Sequence, residues 1–132
     1  MSRENVEIVR RGFDAYQRGD IPAMLDLAAP DQVTYRADPD GATYHGPEGL
    51  LRAIAEWVED FDEFTATPEE LIDANDHQVV VRVHQEAVGS QSGAPIEANF
   101  WFVYTLDDAR VTRLDMFASK TQAFEAAGLP SP

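Results

Sequence analysis

The sequence predicts an α+β domain, a strongly curved sheet with helices on one face, and three observations predict it. Apolar residues recur at helical spacing as far as residue 60. Beyond Pro68 the pattern turns to β-branched and aromatic runs. The last two runs are separated by only Asp108-Ala109, a hairpin spacing, and a short capped helix follows. Helices first and antiparallel strands afterwards give the α+β class.

Val6, Val9, Phe13 and Tyr16 lie on one face of a first helix ending near Arg18. Gly19-Asp20 breaks it, and Asp20 caps a short second helix that tolerates Pro22 in its first turn. Residues 33–36 form a short strand, and Asp38-Pro39-Asp40-Gly41 a turn. Pro47 opens a third helix over 47–60 with a broad apolar face, including Leu50, Ile54 and Trp57. Residues 79–88 are continuous enough in Val to be a well-buried strand. Residues 89–93 loop to strands over 96–106 and 110–118. Ser119 caps the final helix, with Gln122 at the capping-box position and Gly128 as its stop.

Composition narrows the function classes. A chain of 132 residues suits one domain, 1–132, able to bury a core without staples. No cysteine means no disulfide framework and no thiolate nucleophile or ligand. Ten basic against 24 acidic residues give a formal charge of −14, with Lys120 the only lysine. Nucleic acid and anionic membranes are therefore not expected as partners. No stretch approaches a membrane span, and no apolar leader follows Met1, so a cytoplasmic location is the default expectation. Nine acids without a basic residue in 56–76 read as a solvated face.

The final hairpin carries the chemistry. A two-residue turn pairs Asp107 with Arg110 and, in regular register, Tyr104 with Arg113, Phe102 with Asp115 and Phe100 with Phe117. One face then holds Phe100, Phe102, Tyr104, Arg113, Asp115 and Phe117. The other holds Trp101, Leu114 and Met116, too apolar for solvent, which suggests a homodimer. A one-residue slip would undo the grouping. Two opposite charges in an aromatic wall are either a structural ion pair or a functional pair.

Helix, helix, short strand, helix and a long meander resemble the nuclear-transport-factor-2-like superfamily, and within it the SnoaL-like, polyketide-cyclase-like branch. The resemblance rests on Gly19-Asp20, His45-Gly46-Pro47-Glu48-Gly49, Ser92-Gly93, and residues 110–117 preceding Glu125-Ala126-Ala127-Gly128-Leu129. It implies a cone: a strongly curved antiparallel or mixed sheet, three N-terminal helices on its concave face, a short C-terminal helix, and a pocket at the open end. It also places the Phe102 face toward that pocket. The ketosteroid isomerase pattern does not carry over. Gly12 stands at the tyrosine position, Phe102 at that of the second acid, and Asp38 meets the base position only with a two-residue insertion.

By that resemblance Asp115 is the candidate general acid/base, with Arg113 setting its charge or holding an enolate. Glu86 or Glu97 could add the second carboxylate of an epoxide-hydrolase-like arrangement. Tyr16, His45, Trp57, Phe100, Phe102, Tyr104 and Phe117 are the candidate ligand contacts. His77 reads as a turn residue, and His84 shares a strand face with Arg82 and Glu86, either pocket-lining or exposed. No histidine has a helical partner at i+4, so neither metal nor cofactor is expected. Two functions follow: a cofactor-free isomerase, cyclase or hydrolase acting on an apolar carbonyl compound, or a non-catalytic module binding a small apolar organic ligand.

Overall fold

A computed structural model describes residues 2–37 and 41–131. The turn 38–40, and with it Asp38 as a candidate base, lies outside the described residues. The helices are α1 (Ser2–Gln17), α2 (Ile21–Leu25), α3 (Gly46–Val58) and α4 (Lys120–Ala126). The strands are β1 (Ala28–Arg36), β2 (Ala42–His45), β3 (Phe61–Asp73), β4 (Gln78–Gly89), β5 (Pro95–Asp107) and β6 (Arg110–Phe117). They form one open, mixed sheet in the order β2-β1-β6-β5-β4-β3. Only β1 and β6 pair in parallel.

The caps act as expected. Asp20 accepts from the Ala23 N–H (3.2 Å), and Ser119 from that of Gln122 (3.3 Å). Strand β3 is where patterning failed. The acidic run 56–76 contains a thirteen-residue edge strand whose carboxylates face solvent. Charge, Pro68 and two register breaks protect such an edge, and they also mask its alternation. Strand β2 escaped notice because it has only four residues.

The core has two layers. On the concave side Val79, Val81 and Val83 of β4 are fully buried beneath Val9 and Phe13 of α1 and Leu50 of α3. Each such valine contributes about 1.5–3 kcal/mol. On the convex side α4 lays Ala123, Phe124 and Ala127 over Val80, Trp101 and Val103. The Trp101 and Phe124 rings meet edge to face at 6.0 Å, and Lys120 lies 5.1 Å from the indole centroid.

The final hairpin departs from regular register. Asp107 faces Arg110 and Leu106 faces Val111 across a turn whose residues Asp108 and Ala109 both have positive φ (54° and 64°). Beyond that, Thr105 faces Arg113, Val103 faces Asp115 and Trp101 faces Phe117. Thr112 is thus an extra residue, a β-bulge, and its hydroxyl donates to the Thr105 carbonyl (3.2 Å). Two local N–H groups bond outside the hairpin, Val111 to the Leu27 carbonyl (2.8 Å) and Leu106 to that of His77 (2.7 Å).

The bulge corrects the expected faces. Phe102 and Tyr104 point to the concave side together with Leu114 and Met116, while Arg113, Asp115 and Phe117 share the convex side with Trp101 and Val103. The argument for a dimer from Trp101, Leu114 and Met116 falls with it. Helix α4 covers the first, and the other two face the chain's own helices.

Candidate functional site

Between α1, α3 and the concave sheet lies a cavity of about 110 Å³. Helix α1 contributes Ile8, Val9, Gly12, Phe13 and Tyr16, and α3 contributes Leu50, Ile54 and Trp57. The floor is Phe102, Tyr104, Val111, Leu114 and Met116. Its few polar side chains are Tyr16, Gln32, Gln85 and Tyr104, besides the Trp57 indole. Trp57 Nε1 donates to Gln85 Oε1 (2.9 Å), which leaves the Gln85 amide donors without a protein partner among the described residues. Neither the Tyr16 nor the Tyr104 hydroxyl has one there either. Burial raises the pKa of both phenols, far more for Tyr104, so they are neutral hydrogen-bond donors.

A wider outer chamber of about 370 Å³ adjoins the cavity, and Trp57, Phe64 and Gln85 line both. Phe100, Ile96 and Ala98 of β5 form one wall, and Arg36, Glu56 and Asp60 are its charged side chains among the described residues; Glu86 also borders it, but with its side chain turned to the convex face beside His84. Arg36 Nη1 donates to the Tyr44 hydroxyl (3.1 Å), which in turn donates to Glu56 Oε1 (2.6 Å). That bond to a carboxylate, with burial adding to it, raises the Tyr44 pKa. Gly49 makes the arrangement possible. A β-carbon there would sit 3.1 Å from the Tyr44 carbonyl carbon and Cβ, so any larger residue would push α3 and β2 apart by a few tenths of an ångström.

Of the residues singled out from the sequence, Tyr16, Trp57, Phe102 and Tyr104 line the cavity and Phe100 the outer chamber. His45 is exposed at the end of β2, where it precedes α3 without capping it. Phe117 packs on Tyr35 on the convex side (6.5 Å). Arg113 Nε donates to both Asp115 oxygens (3.0 Å each) and Nη2 lies 2.9 Å from Oδ1. The carboxylate is buried, the guanidinium half-exposed, and neither borders the cavity. The two side chains therefore pair with each other on the convex side, and the paired carboxylate raises the Arg113 pKa.

Gln32, Arg36, Tyr44 and Gln85 were missed. Gln85 had a signal, as the one polar member of the alternation Val79, Val81, Val83, Gln85. His84, on the convex face, gathers Glu97 (3.2 Å), Glu86 (3.7 Å) and Asn99 (2.9 Å) away from the cavity.

The SnoaL-like domain family model matches residues 9–114, so the chain belongs to that family. An uncharacterised protein of Mycobacterium tuberculosis (strain H37Rv) is 25% identical over 125 residues, covering 92% of this chain and 94% of the relative. A Burkholderia pseudomallei NTF2-like protein of unknown function superposes with a TM-score of 0.77 at 22% identity, over 92% and 95% of the two chains. TerC, co-crystallised with polyporic acid, gives a TM-score of 0.76 at 21% identity over 95% and 98%. The mixed sheet and helices are therefore the nuclear-transport-factor-2-like cone, with the sheet left open. No helix among the described residues is long and apolar enough to cross a membrane.

Proposed function

We propose that this protein binds a small, mainly apolar organic molecule in the cavity between α1, α3 and the concave sheet. One observation carries the reading: neutral donors without protein partners, Tyr16, Tyr104 and the Gln85 amide, stand in an otherwise apolar lining. Such a wall holds the body of a ligand by desolvation, and the donors orient a carbonyl or hydroxyl. The fold of TerC, with its bound polyporic acid, supports the reading by analogy.

An enzyme is the second reading. The described residues lining the inner cavity include no carboxylate and no imidazole. Acid–base chemistry on a carbonyl compound would therefore draw on Glu56 or Asp60 of the outer chamber, with the buried phenols polarising the carbonyl.

Fluorescence titration with N-phenyl-1-naphthylamine, a neutral dye that brightens in apolar surroundings, tests the binding. Saturable single-site binding is expected, weakened about tenfold or more by Gly12→Phe, which pushes a ring from α1 into the cavity. Circular dichroism checks that the variant is folded. No saturable binding, or equal binding by a folded Gly12→Phe protein, overturns the proposal.

A further inference from the structure

We infer that Arg36 is the anchor for an anionic head group, so that the ligand class is an apolar organic oxyanion with its body in the inner cavity and its head in the outer chamber. The inference rests on the binding reading above and names the ligand that fits it. Arg36 is the only basic side chain lining either space among the described residues. Its side chain is only 14% exposed, and its charge is met by one loose ion pair, with Glu56. A guanidinium offers five N–H donors. Among the described residues one is used, on the Tyr44 hydroxyl, which is itself neutral. The Glu56 carboxylate lies 3.6 Å from Nη1, beyond hydrogen-bond distance, and is 45% exposed. It already accepts the short Tyr44 bond. The Arg36 Nε is buried without an acceptor, the only such buried side-chain nitrogen or oxygen among the described residues.

A buried, under-paired guanidinium is costly unless something completes it. Here it lies over the Trp57 indole (5.3 Å to the centroid), a ring that lines both spaces, and so stands in the outer chamber beside the mouth of the inner cavity. An oxyanion is the group that such a fork meets with two parallel hydrogen bonds. The carboxylates of the chamber among the described residues, Glu56 and Asp60, are half-exposed and exposed. Together with the formal charge of −14 they repel small free anions. Only an anion carried by an apolar body, drawn in by the inner cavity, gains enough to pass them. The arrangement thus selects for the amphiphile rather than for charge alone.

Two dyes with one body separate the claims: N-phenyl-1-naphthylamine and its sulfonate, 1-anilinonaphthalene-8-sulfonate. The sulfonate should bind the native protein more tightly than the neutral dye, against the net charge. Arg36→Gln should weaken the sulfonate about tenfold or more and leave the neutral dye unchanged, and Arg36→Lys should recover part of the loss. Unchanged neutral-dye binding also reports that the variant is folded. If Arg36→Gln does not fold, the preference of the native protein decides, and it should shrink with added salt. The inference is overturned if both dyes bind alike, or if Arg36→Gln weakens them equally. If neither dye binds, the binding reading fails first and the inference with it.

Discussion

Asp115 illustrates how little a residue's chemistry says without its facing. Its carboxylate is buried and takes a two-pronged contact from Arg113, features that suit a catalytic acid as well as a structural one. Its facing, on the convex side where neither residue borders the cavity, favours the structural one. The pair lies on the convex face in the middle of β6, beside Tyr35 of β1. Asp115→Asn should cost about 1 kcal/mol in denaturant unfolding, the modest figure reflecting a half-exposed partner. Its dye binding should match that of the native protein. A large loss of binding in the folded variant would instead tie the pair to the cavity.

At the scale of elements, the strand pair β4–β5 carries a pH-sensitive cluster on its convex face. His84 bonds to Asn99 and is surrounded by Glu97 of β5, Glu86 of its own strand and Glu69 of β3, with Arg82 bridging back to Glu69. The Asn99 bond raises its pKa first, the three carboxylates add to this, and partial burial opposes it. A folded value above the ordinary value of about 6.5 means stabilisation fully present below that pH. It is lost as pH rises through the folded value. Thermal melts across the neutral range should therefore lose stability with rising pH, and His84→Gln should flatten that slope; an unchanged slope in the variant would refute the assignment. Legibility in the sequence followed the same scale. The helices, their caps and β4 to β6 could be read because local periodicity and capping residues agree with the final packing. Strand β3 could not, since its protective charges look like a loop. The face of β6 could not, since a bulge leaves no fixed sequence mark; Thr112 is an ordinary strand residue. Aromatics Tyr16, Trp57, Phe102 and Tyr104 were legible as cavity lining, whereas Arg36 gained its significance only from what fails to reach it.

For the whole molecule, a formal charge of −14 on 132 residues sets the electrostatic background. Much of it lies on exposed carboxylates of β3 and its flanking turns. Raising ionic strength from about 0.01 to 0.15 M shortens the screening length from about 30 to 8 Å. Self-repulsion then relaxes, and the melting temperature should rise. A flat or falling melting temperature would mean that local ion pairs such as Arg113–Asp115 outweigh the net charge. The bulge at Thr112 reaches further than the hairpin it bends. It sets the parity of every later position in β6, so an alignment gap misplaced by one residue between Val111 and Arg113 exchanges inside for outside at each position from Arg113 to Phe117. Roles carried from one relative to another through that gap would arrive inverted, with an ionic pair in place of the apolar floor. Anchoring such comparisons on the bulge, rather than on the turn before it, keeps the bookkeeping of inside and outside intact across the family.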